Sequence, residues 1–374
     1  MTDRPPAEIG MPLGDVDTPA LLLDLGAFER NLRRLPAAVA GFPVRLRPHA
    51  KTHKCPAIAL RQIAEGAVGV CCQKVSEAEA MVYGGVPDVL VSNEVVGVPK
   101  LRRLVALTRQ ARVAVCADDP GNVADLNEAA LAAGARLPVL VEVNVGADRC
   151  GVEPGEPALA LARQIAGSPG LRFGGLQAYH GSAQHIRDFG QRRAAIDAAV
   201  EKVRRTLDLL GRGGIPCDVV TGSGTGTYRF EVGSGVFTEL QAGSYIFMDA
   251  DYARDLAEDG GPYRDFEHSL FVYATVMSRP AKDRAVVDAG LKALAVDSGM
   301  PVVHAMPGVE YARASDEHGK LTLHDPNRAP RVGDKVRLIP GHCDPTVNLH
   351  DWYVCVRGGT VEALWPITAR GPGF

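Results

Sequence analysis

The chain has 374 residues, 46% hydrophobic and 23% charged, with a formal net charge of −3, a globular composition long enough for about two domains. The near-balanced charge gives no electrostatic case for nucleic acid, and no apolar run approaches the ~20 residues of a membrane helix. The eight cysteines lack paired metal-knuckle spacing, and "MTDRPPAEIGMPLGD" has no apolar leader core, so reduced thiols in a cytoplasm are expected, with no signal peptide.

In chain order, "DTPALLLD" at 17–24 reads as a strand, expected to join a C-terminal sheet because chain termini often lie close together. Eight short β-branched runs follow: "VRL" at Val44, "VGVCC" at 68–72, "DVLVSN" at 88–93, "RVAVCA" at 112–117, "LPVLVEVNV" at 137–145, "FGGLQAY" at 173–179, "CDVVTG" at 217–222 and "ELQAGSY" at 239–245. Helical stretches such as "CPAIALRQIAEG" and "RDFGQRRAAIDAAVEKVRRTLDLLGRGG" separate them. In "SEAEAMVYGG", Ser76 with Glu79 fits a capping box, and Gly84 fits the helix stop. Eight strand–helix alternations over roughly 230 residues match an α/β (β/α)8 TIM barrel, placed at 27–255. A doubly wound sheet is the rival, but no G-x-G-x-x-G follows the first strand. After Asp251 the texture changes to strands and turns, which predicts an antiparallel β domain over 256–374 together with 1–26.

The first barrel strand leads into "LRPHAKTHKCPAIA", Leu46 to Ala59. On a regular strand Arg45, Arg47, His49, Lys51 and His53 share one face, and Leu46, Pro48 and Ala50 the other. The charged face then points to the barrel axis at its C-terminal mouth, where active sites sit. A lysine among cations has reason to lose its proton, which suits Schiff-base chemistry. The alternative is a solvated edge strand with idle charges. Two glycine loops, "TGSGTGTY" at 221–228 and "AGSY" at 242–245, follow the last two strands, where barrels often bind phosphate. Lysine and phosphate loops together imply pyridoxal 5′-phosphate.

"RPHAKTHK", "GVCCQKVSEAEA", "VGADRCGV", "LQAYHGSAQH", "TGSGTGTY", "ELQAGSYIFMDADY", "DAGLKA", "SDEHG" and "PGHCDPTVNLHDW" resemble one family over about residues 15–372. It is the D-threonine aldolase/3-hydroxy-D-aspartate aldolase family of metal-activated, fold-type III pyridoxal-phosphate enzymes, which also includes D-serine dehydratase. The resemblance implies an alanine racemase-like barrel with a β domain, a homodimer, and a small D-β-hydroxy amino acid as substrate. Lys51 resembles the Schiff-base lysine, and Gly222, Ser223, Gly224, Thr225, Gly243 and Ser244 the phosphate cradle. Arg149 and Tyr179 resemble the residues that contact the cofactor, and His185 the histidine beside the substrate hydroxyl. His342 and Asp344 resemble the two ligands of a divalent metal. On an extended backbone both point the same way, with Cys343 facing into the core. One imidazole and one carboxylate suit Mn²⁺, Mg²⁺ or Co²⁺ more than a closed structural Zn²⁺ site. His180 and His350 are taken as structural, and Asp316 and His318 are candidates to line the site.

Aspartate at 344, where the dehydratase branch typically has cysteine, favours an aldolase. The N-terminal half looks more like D-threonine aldolase, and "PGHCDPTVNLHDWYVCVR" more like 3-hydroxy-D-aspartate aldolase. The expectation is a D-threonine aldolase with broad aldehyde tolerance. The alternatives are a 3-hydroxy-D-aspartate aldolase releasing glyoxylate, a D-serine or 3-hydroxyaspartate dehydratase, and a non-catalytic cofactor carrier.

Overall fold

The structure, a computed structural model, describes residues 4–325, 327 and 329–374. Strand β1 (Ala20–Asp24) leads into helix α1 (Leu25–Val39), which Asp24 caps by accepting the Ala27 N–H at 3.0 Å. The alternation that follows is β2 (Arg45–Leu46), α2 (Pro56–Ala64), β3 (Val70–Cys72), α3 (Val75–Tyr83), β4 (Asp88–Glu94), α4 (Val98–Ala106), β5 (Arg112–Ala117) and α5 (Pro120–Ala132). It continues through β6 (Leu137–Glu142), α6 (Glu156–Gly167), β7 (Leu171–Gln177), α7 (Phe189–Arg212), β8 (Val220–Gly222), α8 (Tyr228–Ser234) and β9 (Glu239–Leu240).

Every expected barrel strand is present, and the eight lie parallel in the order β2-β9-β8-β7-β6-β5-β4-β3. A parallel bridge between His49 and Cys71 closes the ring, with the Ala50 N–H donating to Cys71 O at 2.8 Å. Helices cover the outside and strands fill the inside, so the strands read as continuous apolar runs rather than alternating ones. In α7 the buried Ile196, Ala199, Val200, Val203 and Leu210 form the single apolar stripe that meets the barrel.

One helix start differs from expectation. Helix α3 begins at Val75, so the reciprocal carboxylate is Glu77, which accepts the N–H groups of Gln73 and Lys74 at 2.7 and 3.3 Å. Glu79 instead takes the Arg103 Nε–H at 2.7 Å. Gly84 ends the helix as expected.

The remaining elements are β10 (Leu270–Ala281), β11 (Arg284–Val287), β12 (Val302–Val303), β13 (Val309–Ala314), β14 (Gly319–Leu323), β15 (Lys335–Ile339), α9 (Cys343–Val347), β16 (Trp352–Arg357) and β17 (Thr360–Pro366). With β1 they form a nine-stranded sheet among the described residues. It is not wholly antiparallel, because β1 pairs antiparallel with β10 but parallel with β16. No hairpin joins β1 to β16, so no tight turn dictates their relative direction. Alternation along β1 serves two packing layers. Leu21 and Leu23 join the main core, while Ala20 and Leu22 pack with Phe271, Tyr273 and Val354. Among the described residues no helix is long and apolar enough to cross a membrane.

Candidate active site

The opening cationic stretch does not remain a regular strand. β2 ends at Leu46, edge pairing persists to Ala50, and the chain then turns, with the Lys54 N–H returning to Ala50 O at 2.7 Å. The five side chains expected on one face are therefore dispersed. Arg45 is exposed, and Arg47 lies in the barrel between Glu239 (2.9 Å) and Asp88 (2.6 Å). The His49 ring is buried, with Nε2 3.2 Å from Ser92 Oγ. His53 lies fully buried behind the turn, where burial pushes its pKa down to about 3. Lys54 pairs with Glu77.

Lys51 alone of these cations meets a carboxylate from the β domain. Its Nζ lies 3.1 Å from Asp344 Oδ2. Asp344 raises the Lys51 pKa, outweighing burial, contrary to the lowering expected from neighbouring cations. The physical reason is that those cations left the face and an anion arrived. Burial opposes ionisation of Asp344, yet Lys51 and then His342 hold its carboxyl at about 2.

Around Lys51 a narrow cleft is lined by Arg149, Tyr179, Ser223, Gly224, Thr225, Gly243 and Ser244, together with His49, Gln73 and Tyr252. The residues expected at the cofactor thus converge, apart from Gly222, which ends β8 below them. A Cβ on Gly222 would stand 2.4 Å from Ala178 O, so the residue permits the close approach of β7 and β8. Gly243 is equally confined, with Thr52 Oγ1 at 2.7 Å and His49 O at 2.8 Å from a Cβ built there. Ser223 adopts φ +80°, a conformation that L side chains rarely take and that marks a constrained loop. The Thr225 hydroxyl is buried with no hydrogen-bond partner. An orphaned hydroxyl among backbone-exposing glycines suits an anion such as a phosphate. The Arg149 guanidinium carbon lies 5.8 Å from the Tyr179 ring centroid, and burial raises the Tyr179 pKa, so its phenol stays a proton donor.

His342 and Asp344 come together differently from the extended H-x-D expected. His342 is extended (φ −148°, ψ 125°) and caps α9, while Asp344 sits in that helix's first turn. Cys343 is fully buried, as expected, with Sγ 3.4 Å from Met248 O. Asp344 Oδ1 is buried without a partner. His342 Nδ1 lies 2.7 Å from Asp297 Oδ2. A carboxylate at Nδ1 fixes the tautomer and leaves the Nε2 lone pair for a ligand. The orphaned carboxylate oxygen and the oriented imidazole fit a divalent cation.

His185 stands outside the cleft lining, at the end of the 3-10 turn Ser182–His185. Its Nδ1 lies 2.8 Å from Asp251 Oδ2, a contact that raises its pKa despite partial burial. Asp251 also binds Arg187 and Arg254, and Arg254 Nη2 donates to Ser298 O at 2.5 Å, beside His342. Neither Asp251 nor Asp297 is among the expected site residues; Asp251 sits in the segment "ELQAGSYIFMDADY" that carries the resemblance, whereas nothing in the local pattern of Asp297 marks it. His350 is structural, with Nε2 2.7 Å from Ala293 O. Asp316 and His318 are exposed beside β14, outside the cleft lining.

Comparison with known proteins agrees with this architecture. Residues 23–251 match the family described as "Alanine racemase, N-terminal domain", and 269–356 match a serine dehydratase domain. The chain is 51% identical over 367 residues to a D-threonine aldolase of Arthrobacter sp., covering 98% of this chain and 96% of that relative. It is 47% identical to a 3-hydroxy-D-aspartate aldolase of Paracoccus denitrificans, covering 99% and 96%. The crystal structure of D-threonine aldolase from Filomicrobium marinum superposes with a TM-score of 0.96 at 54% identity, covering 99% of this chain and 100% of that one. The chain therefore belongs to the D-threonine aldolase/3-hydroxy-D-aspartate aldolase family of alanine racemase-like lyases.

Proposed function

We propose that the chain is a D-threonine aldolase dependent on pyridoxal 5′-phosphate and a divalent metal, cleaving D-β-hydroxy-α-amino acids to glycine and an aldehyde. The observation that carries this is the meeting of Lys51 and Asp344 at 3.1 Å in a cleft walled by two glycine loops. Lys51 would hold the cofactor's carbonyl carbon. Ser223, Gly224, Thr225, Gly243 and Ser244 would cradle its phosphate, with Gly222 setting the loop's start. Arg149 and Tyr179 would border its ring. His342 and Asp344 would hold the ion, with Mn²⁺ or Mg²⁺ preferred and Co²⁺ or Zn²⁺ as alternatives. When bound, pyridoxal 5′-phosphate supplies an electron sink and the ion a Lewis acid that acidifies the β-hydroxyl.

The chain's own groups supply the rest. His185 takes the β-hydroxyl proton at Nε2, directly or through one water, while its Nδ1–H stays on Asp251 and the carboxylate steadies the imidazolium. Lys51 and Asp344 meet at 3.1 Å, so one face of Cα would meet both the amine and the metal pair, which favours the D configuration. Asp344 meets Lys51 of its own chain, which supports a metal loop that serves its own barrel. The same proposal takes 27–255 as the cofactor barrel and 256–374 with 1–26 as the β domain, of which 1–3, 326 and 328 lie outside the described residues. It includes a homodimer in the cytoplasm, and eight free thiols support that compartment.

The second reading is a 3-hydroxy-D-aspartate aldolase, favoured by the 47% identical Paracoccus relative. A β-carboxylate substrate would want an additional cation. Among the described residues the cleft-lining lysine and arginine are Lys51 and Arg149, both already engaged in this proposal. Enzyme supplied with pyridoxal 5′-phosphate and Mn²⁺ should release glycine and acetaldehyde in equal amounts from D-threonine. A higher kcat/KM for glyoxylate release from 3-hydroxy-D-aspartate would favour the second reading. A keto acid with ammonia would indicate a dehydratase, and comparable turnover of L-threonine would contradict the one-face geometry.

A further inference from the structure

On the β4–β5–β6 side of the barrel mouth, four ligand-bearing side chains converge that the proposed reaction does not use. Glu94 ends β4, Asp118 follows β5, Glu142 ends β6, and Cys150 comes from the loop after β6, next to Arg149. One carboxylate oxygen each from Glu94 and Asp118 and the Cys150 sulfur lie within 4.8 Å of one another. Small side-chain rotations would close that separation around one ion.

A separate observation points into the same space. Glu142 is only 5% exposed, and its Oε2 is buried without a hydrogen-bond partner. Its carboxylate faces Glu94 and Asp118. Glu94 Oε1 is also buried and unpartnered. Buried carboxylates face one another only when a proton or a cation lies between them. The adjoining thiol, itself against Glu94, completes a mixed carboxylate–sulfur donor set for a cation.

We propose that Glu94, Asp118 and Cys150, backed by Glu142, form a second divalent-cation site, distinct from His342 and Asp344. The mixed carboxylate–thiolate donors suit a borderline ion such as Zn²⁺ better than Mg²⁺. Its work is positional. Asp118 Oδ2 already accepts the Gly151 N–H at 2.9 Å, and Gly151 turns the chain at φ +101°. An ion on Cys150 would fasten the same loop to the ends of β4 and β5, and so fix Arg149 at the edge of the cleft.

The test counts metal rather than turnover, so it stands apart from the proposed reaction. Holoenzyme carrying His342→Ala and Asp344→Asn is stripped with chelator, equilibrated with Zn²⁺ and desalted. It should keep about one zinc per chain, and adding Cys150→Ser should remove it. Cd²⁺ in place of Zn²⁺ should give a thiolate-to-metal charge-transfer band that Cys150→Ser abolishes. Far-UV circular dichroism and cofactor absorbance confirm that each variant remains folded. In the otherwise unaltered holoenzyme, Cys150→Ser should lower the zinc count by about one, which keeps the test open if the double variant fails to fold. No zinc lost on Cys150→Ser in that background would overturn the site. So would zinc that persists undiminished when Glu94→Gln and Cys150→Ser are combined.

Discussion

Replacing Gly243 by alanine puts a methyl group between the second glycine loop and the turn that carries Lys51. The new Cβ would stand 2.7 Å from Thr52 Oγ1, 2.8 Å from His49 O and 3.1 Å from His49 Cβ. The Thr52 hydroxyl can rotate away. The His49 carbonyl cannot yield unless the 49–53 turn moves, and that turn is pinned by the His49–Cys71 bridge that closes the barrel. Such overpacking costs about 1–3 kcal/mol. If all of it appears in cofactor binding, Kd rises roughly 5- to 150-fold. The assay is titration of apoenzyme with pyridoxal 5′-phosphate, followed by absorbance, with thermal unfolding in parallel. Gly211→Ala is the control, since nothing lies within 4 Å of its Cβ in α7. It should leave Kd unchanged and stabilise the helix by about 0.5–1 kcal/mol. A Gly243→Ala enzyme with wild-type Kd and wild-type Tm would refute the confinement argued for this loop.

Three other outcomes follow from the same geometry. Lys51→Ala should lose both the yellow cofactor band and turnover; an active, amine-independent variant would remove Lys51 from the reaction. Chelation, or His342→Ala, should abolish glycine release from D-threonine while leaving cofactor absorbance intact, because His342 lies outside the lining of the cleft that the glycine loops wall; full activity in EDTA would return Gly341–Pro345 to a structural turn. Asp251 holds the His185 pKa above its ordinary 6.5, so on acidification the free base is lost at a higher pH than for an unpaired imidazole. Asp251→Asn should therefore move the acid limb of kcat/KM to lower pH, and an unmoved limb would show that His185 is not the base.

The barrel was legible because its strands are buried on both faces. Runs such as "DVLVSN" and "RVAVCA" must then be apolar throughout, and helices must fill the spaces between them. The glycine loops were equally legible, since neighbouring backbone at Gly222 and Gly243, and the Gln184 side chain at Gly224, leave no room for Cβ. Resemblance, more than spacing, singled out His342 and Asp344. Spacing alone would have put them on an extended segment, whereas the chain coils into α9 at Cys343.

The sequence by itself determined the order of the barrel strands, helices and glycine loops, though not where each strand ends, because side-chain periodicity and glycine sterics act between near neighbours. It did not determine the charge around Lys51. Period-two alternation predicted a lysine among cations, but the strand ends early and Arg47, His53 and Lys54 turn to other partners. Only the tertiary structure brings Asp344 to Lys51, Asp297 to His342 and Asp251 to His185. Electrostatic energy depends on distance in space, and these pairs come from segments remote in sequence: the β domain brings Asp344 across to Lys51, the barrel's own loops bring Asp251 to His185, and the β domain's own folding brings Asp297 to His342.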